Sequence, residues 1–182
     1  MARGRRKLPD RWLDYHPIKN VLPVLKIVPF KTPLPSQIFY PELLRDHRWT
    51  PYDLMDCLRD QGWNLGLIVD FTNKFPAYYD PEEFIRNGVS FVKIACVGHD
   101  VPKDEYFQKF CEVMEQFLQH ESQNNRVVGV HCTHGINRTG YIVCRYLIEK
   151  CGYNPDHAIS TFAEIRGYPI ERENYIEALH NL

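Results

Sequence analysis

No run in the 182-residue chain approaches the roughly 20 consecutive apolar residues that a membrane-spanning helix requires. The start, Met1-Ala-Arg-Gly-Arg-Arg-Lys7, has no apolar stretch behind it and so is not a secretory signal. Excess charge is lacking too: 22 Lys and Arg against 23 Asp and Glu leave a formal charge of -1 at pH 7. Proteins that grip a long duplex along its phosphates are more basic than this, which restricts any RNA contact to a local one at an end. The cysteines Cys57, Cys96, Cys111, Cys132, Cys144 and Cys151 lack the spacing of a small disulfide scaffold. Several lie in apolar segments, which fits free thiols in a reducing, intracellular compartment. Internal repeats are missing, as is low complexity beyond the basic start. Hydrophobic residues make up 44% of the chain, enough for one sizeable core, so global disorder is excluded.

Strand-like and helix-like segments alternate instead. Leu65 to Phe71 is an apolar run containing Asp70 near its end and reads as a central parallel strand; Val127 to Val130 reads as a short buried one. Val89 to Val97 is β-rich. Val21 to Phe30 is strand-like but interrupted by Pro23 and ended by Pro29, which suits a sheet edge. Thr50 caps a helix that has Pro51 at its first position and runs to Arg59. Pro102 opens a helix with Tyr106, Phe107, Phe110, Val113, Met114, Phe117 and Leu118 at one-face spacing. Tyr141 to Lys150 is helical with a broad apolar face. Asn154-Pro155 caps a helix to Arg166, where Gly167 stops it, and a last helix runs from Glu171 to Leu179. Pro9, Trp12, Tyr15, His16 and Pro17 mark an irregular arm lying on the domain. The prediction is an α/β fold: a single domain over residues 9–182, with a mostly parallel central sheet flanked by helices on both faces. Residues 1–8 form a basic flexible N-terminus, read as a solvated tail or as a nuclear address or weak RNA-binding arm. Ligands of such sheets bind beyond the carboxyl ends of the strands, where Asp70, the residues after Val97 and Cys132 can converge.

The stretch Val127-Val-Gly-Val-His-Cys-Thr-His-Gly-Ile-Asn-Arg-Thr-Gly140 carries the chemistry. A strand leads into Cys132; five residues later comes Arg138, and then a helix. A loop of this kind turns its backbone N–H groups inward at a helix N-terminus and cradles an anion. Thr133, His134, Gly135, Ile136 and Asn137 form that cradle. The same positive field lowers the Cys132 pKa below that of a free thiol, giving a nucleophile at neutral pH. The planar fork of Arg138 matches two phosphoryl oxygens. Gly135 permits backbone angles closed to other residues, and Gly140 allows close packing. Thr139 can hydrogen-bond the sulfur, and His131 can hold the loop through its ring nitrogens. A metal reading of His131, Cys132 and His134 lacks a second ligand pair of the usual spacing.

The pattern His-Cys-x5-Arg-Thr-Gly resembles the active-site loop of the cysteine-dependent tyrosine and dual-specificity phosphatases. The loop as a whole, with Phe30-Lys-Thr-Pro33, Asp70-Phe-Thr-Asn73, Tyr78-Tyr-Asp80 and Ile170-Glu-Arg-Glu-Asn-Tyr175, is similar to the RNA 5′-triphosphatase branch of that superfamily. This branch takes in the metazoan capping enzyme's triphosphatase domain, the baculovirus RNA phosphatase and the RNA/RNP-complex-interacting group. The tail is closer to the last two. No guanylyltransferase segment follows, so the expectation is a stand-alone RNA 5′-phosphatase.

The resemblance implies a 5′-triphosphorylated or diphosphorylated RNA substrate, cut to a monophosphate through a cysteinyl-phosphate. No metal or other cofactor is called for, since Arg138 and the loop amides supply the positive charge. It also implies that Arg172 holds a second phosphate, with a surface ion pair to Glu171 or Glu173 as the alternative; Arg166 is a weaker candidate of the same kind. His134 and Asn137 contact the phosphate or RNA end, or only shape the loop. Asp100 is the candidate general acid, with Asp104 beside it, although both suit helix capping and dipole roles. An anhydride leaving group needs little protonation, so weak acid machinery and this substrate agree. Asp70 reads as a residue ordering the loop after its strand. Two rival expectations are a dual-specificity protein phosphatase acting on phospho-Ser/Thr/Tyr and a non-catalytic binder of 5′-phosphorylated RNA. Expected partners are RNA ends and RNP or small-RNA-processing proteins, with no membrane; the expected state is a monomer, nuclear and cytoplasmic.

Overall fold

A computed structural model describes residues 7–37, 47–121 and 124–182. Most of the expected basic N-terminus lies outside these residues. The elements run β1 (Ile27–Lys31), α1 (Pro51–Asp60), β2 (Asn64–Asp70), α2 (Glu82–Ile85), β3 (Ser90–Lys93), α3 (Asp104–Glu121), β4 (Arg126–Cys132), α4 (Asn137–Cys151), α5 (Pro155–Arg166) and α6 (Glu173–His180). Among the described residues the four strands form one sheet in the order β1-β4-β2-β3, every pairing parallel. The two apolar runs became its two central strands, buried on both faces over six consecutive residues each. An inner parallel strand has no solvent face, so its sequence loses the polar alternation of a half-exposed one.

Helices cover both faces. On one side α3 to α6 pack a core that includes Phe107, Phe110, Met114, Ile142, Leu147, Phe162 and Leu179. On the other, α1 and α2 and the N-terminal arm enclose Trp12, Val28, Leu54, Leu58, Tyr79 and Phe84. Local signals set the helix ends. Thr50 Oγ1 accepts from the Asp53 N–H, and Asp53 Oδ2 accepts from the Thr50 N–H, a reciprocal cap for α1. Asn154 Oδ1 caps α5 by accepting from the His157 N–H, and Gly167 ends it in the left-handed conformation at φ 85°.

Several boundaries moved. The first strand is Ile27–Lys31 rather than 21–30, and Pro29 lies inside it. Ile27 and Lys31 donate their N–H groups outward, to Leu22 O and Pro17 O, so position 29 faces the same outer edge and a missing donor there breaks no bond to β4. β3 stops at Lys93, where Cys96, Gly98 and the residues between leave the sheet. α3 starts at Asp104, two residues after Pro102. α4 starts at Asn137, so Arg138, Thr139 and Gly140 belong to its first turn. α6 starts at Glu173, with Arg172 at its N-cap. Among the described residues no helix is long and apolar enough to cross a membrane.

Candidate active site

The carboxyl ends of all four strands supply the site. Cys132 ends β4 and is buried, 4% exposed. Two carbonyls of the loop after it are held outward: Thr133 O accepts from the Thr32 N–H at 3.0 Å, and His134 O from Arg166 Nη2 at 2.9 Å. With the carbonyls turned away, amides are left facing the sulfur, those of Ile136 and Thr139 among them. Burial opposes ionisation of the thiol. The Arg138 guanidinium, the Thr139 hydroxyl and those two N–H groups outweigh it and bring the Cys132 pKa below the ordinary thiol value. Thr139 Oγ1 is buried and finds no oxygen or nitrogen partner among the described residues, which leaves it to donate to a thiolate. The other thiols behave oppositely: burial pushes Cys96 up to about 12, against the pull of Arg138.

Arg138 is anchored by one side of its fork. Nη1 donates to Phe71 O at 3.1 Å and Cys96 O at 2.9 Å, while Nη2 reaches Thr133 Oγ1 at 3.2 Å. Backbone from the ends of β2 and β3 thus fixes the guanidinium over the loop, without an acidic partner among the described residues. Sequence reasoning missed this anchoring, because carbonyls carry no side-chain signature.

Behind the loop, His131 is fully buried. Its Nδ1 lies 2.9 Å from Cys132 O, and its Nε2 lies 2.8 Å from Tyr79 Oη. A carbonyl only accepts, so Nδ1 carries the proton and Nε2 accepts from the tyrosine. Burial holds His131 below its ordinary value despite Asp70 at 3.8 Å, so the ring is neutral. Asp70 orders the next loop as expected: Oδ1 accepts from the Thr72 N–H and Oδ2 from Lys93 Nζ, both at 2.7 Å. Burial opposes its ionisation, but the Lys93 ammonium and the Thr72 N–H bring its pKa below the usual value.

Gly135 has φ 68°, and a Cβ there would stand 2.1 Å from Phe30 O. A Cβ on Gly140 would meet Ile170 at 2.6 Å and Phe162 at 2.8 Å, so α4 approaches its neighbours through that residue. The side chains of two loop residues turn away from the cradle. His134 Nε2 donates to Asp10 O at 2.6 Å. Asn137 Oδ1 accepts from the N–H groups of Glu171 and Arg172, at 2.9 and 3.1 Å, and ties the start of α6 to the loop. Both side chains therefore take part in shaping the loop. His131 engages both ring nitrogens with Cys132 O and Tyr79 Oη, and His134 engages Nε2 with Asp10 O; among the described residues no group of three His, Cys, Asp or Glu is placed to hold a metal ion.

Arg166 corrects a further expectation. It is 0% exposed, its Nη2 holds His16 O and His134 O, and its Nε and Nη1 are sealed from the surface. It supports the loop from beneath and presents no face to a ligand. Burial lowers its pKa to about 10. Burial and the nearby Arg166 lower Lys31 to about 8; its Nζ donates to Trp12 O and Tyr15 O. No signal in the sequence marked Lys31 as buried.

Arg172 stays at the surface of the site, half-buried beside Asn137. It makes no ion pair among the described residues; Glu171 instead accepts from Arg11 and from Tyr15 Oη. Its Nη2 lies 3.4 Å from His99 Nδ1, and its guanidinium lies over the Tyr175 ring. Asp100 is exposed, makes no hydrogen bond or ion pair among the described residues and caps no helix. Asp104 is engaged by Arg145 Nη1 at 2.6 Å.

A family model described as dual specificity phosphatase, catalytic domain, matches residues 52–182. The chain is 43% identical over 179 residues to the RNA/RNP complex-1-interacting phosphatase of Homo sapiens, covering 98% of this chain and 53% of that protein. It is 38% identical over 171 residues to a tyrosine-protein phosphatase of Autographa californica nuclear polyhedrosis virus, covering 94% of this chain and 98% of the viral protein. The chain therefore spans about half the length of the mammalian relatives it matches. Among solved structures it is similar in fold to kinase associated phosphatase carrying a serine for its catalytic-site cysteine, with a TM-score of 0.66, 16% identity and coverage of 92% and 93%. PTPMT1 in complex with PI(5)P gives a TM-score of 0.62 at 19% identity, covering 93% of each chain.

Proposed function

The chain belongs to the dual specificity phosphatase family, and from that premise we propose that it is a cysteine-dependent phosphatase acting on RNA 5′ ends, removing the γ- and β-phosphates. The Cys132 thiolate attacks the γ-phosphorus in line, forming a P–S bond as the bond to the β–γ bridging oxygen breaks. Arg138 and the loop amides hold the equatorial oxygens as charge spreads over them. RNA with a 5′-diphosphate leaves, and water cleaves the P–S bond to release inorganic phosphate and restore the thiol. A second cycle removes the β-phosphate. The α-phosphate remains, because its other link is an ester with a poorer leaving group.

The observation that carries this reading is Arg172. It is a second cation, its backbone N–H held by Asn137 at the first turn of α4 and its guanidinium lying over the Tyr175 ring, with no carboxylate to neutralise it among the described residues. A monophosphate ester needs one anion site; a polyphosphate needs adjacent ones. The exposed, uncontacted Asp100 agrees, since an anhydride leaving group needs no strong acid. The name of the human relative, an RNA/RNP complex-1-interacting phosphatase, also points toward RNA or RNP partners. Nuclear and cytoplasmic residence and a monomeric state belong to the same proposal.

The test is a time course with γ- and β-labelled triphosphate RNA beside phosphopeptides. Sequential release of both labels, abolished in Cys132→Ser, is the expected result. Peptide turnover far above RNA turnover would transfer the site to phosphoprotein substrates. RNA binding without phosphate release by the wild type would make it a binding module.

A further inference from the structure

The loop after β2 carries an aromatic ring that the phosphate chemistry does not use. Phe75 is 72% exposed, the most exposed of the large apolar side chains among the described residues. Lys93 Nζ lies 5.2 Å from its ring centroid on one face. That ammonium is clamped by Asp70 Oδ2 and Thr72 Oγ1, each at 2.7 Å. The ring is backed by a fixed charge and is otherwise largely exposed. Beside it, Lys74 lies 5.4 Å from the Tyr78 ring centroid, exposed and without an ion pair among the described residues.

Position gives this ring its meaning. The loop begins at Phe71, whose carbonyl holds Arg138, so it leaves directly from the phosphate cradle. Four residues of chain reach at most about 14 Å, comparable with a triphosphate plus its ribose. Val97, 53% exposed, follows Cys96, whose carbonyl also holds Arg138, and adds apolar surface at the same rim. Single exposed apolar side chains are ordinary on folded proteins. A ring backed by a cation, beside an unneutralised lysine and tethered to an anion site, is the combination by which proteins stack single-stranded bases.

We propose that Phe75 is the stacking platform for the base of the RNA's 5′-terminal nucleotide, with Lys74 facing the sugar-phosphate chain that follows. This inference rests on the RNA 5′-end reading and names what recognises the nucleoside. Stacking uses the π-face that every base has, so it admits any 5′ nucleotide and favours the larger purine rings.

The probe is single-stranded 5′-triphosphate RNA with 2-aminopurine as its first nucleotide, bound to Cys132→Ser protein. Binding should quench the fluorescence. Phe75→Ala should weaken affinity on the order of ten-fold or more and abolish the quench, and Phe75→Trp should restore both. With Cys132 intact, Phe75→Ala should raise KM for RNA yet leave hydrolysis of inorganic tripolyphosphate, which has no base, within about twofold of wild type. Unchanged affinity and quench would overturn the platform and leave RNA 5′-phosphatase activity standing. An equal loss on tripolyphosphate would also overturn it, by placing Phe75 in the support of the loop. Failure of Cys132→Ser protein to bind the RNA would overturn both readings, while binding and quenching without wild-type turnover would overturn only the hydrolysis.

Discussion

Substituting alanine at Gly135 tests whether the loop is held by backbone contact. Two costs arise there. The φ of 68° places an L-residue in the left-handed region, a cost of about 1–2 kcal/mol. The new Cβ would also lie 2.1 Å from Phe30 O and 2.5 Å from Phe30 C, which are backbone atoms of β1 and cannot swing aside. Ordinary contact begins near 3.4 Å, so the loop must retreat by about 1.3 Å, the difference between 3.4 and 2.1. A misplacement of about 1 Å costs roughly a hundred-fold in rate, so kcat/KM should fall by about that factor. Gly152 supplies the control. Its φ is 73°, nothing lies within 4 Å of its would-be Cβ, and it closes the opposite end of α4, about 22 Å from the loop. Gly152→Ala should lose only the conformational part, about 2–6 °C in Tm, with activity intact. Steady-state hydrolysis of a small aryl phosphate beside thermal unfolding of both variants decides the matter. If Gly135→Ala keeps kcat/KM within threefold of wild type, or if Gly152→Ala loses as much activity, the loop is not positioned as argued.

Arg138→Met removes the charge that most favours the Cys132 thiolate, so the thiol pKa rises; the midpoint of iodoacetamide alkylation against pH should move upward, and kcat should fall on the order of 10²–10³-fold. An unmoved alkylation profile would show that the loop amides alone hold the thiolate. Tyr79→Phe deletes the donor to His131 Nε2 and leaves a buried acceptor unpaired, a loss of about 1–3 kcal/mol in chemical denaturation. Because burial keeps the folded His131 below its ordinary value of 6.5, its contribution to stability is present above that pH and is lost as pH falls below it. Unfolding free energies of wild type and variant measured between pH 5 and 8 check both points.

Much of the chain was legible without coordinates, and the reason is physical. The signals that worked act over a few residues: Thr50 with Pro51 and Asp53, Asn154 with Pro155, Gly167, and the two apolar runs that no half-exposed strand would contain. The Cys132-to-Arg138 spacing belongs with them, since a strand, a four-residue turn and a helix start place both side chains by local geometry. What failed depended on distant neighbours. Val21 to Val24 have strand-like residues, but they pair with β1 only through a single antiparallel bridge from Leu22 to Ile27, and Pro29 is tolerated in β1 only because its missing N–H faces the outer edge. Arg166 and Arg172 look alike in sequence. Only packing buries the first beneath the loop and leaves the second open at its rim. The sequence by itself determined the alternation of elements and the thiol–guanidinium pair, because torsional preference and hydrophobic period are properties of neighbours along the chain. Tertiary structure alone decided which charges are sealed, which are paired and which face a ligand, because desolvation and Coulomb energy depend on residues distant along the chain, 150 and 32 positions away for the two carbonyls that Arg166 holds.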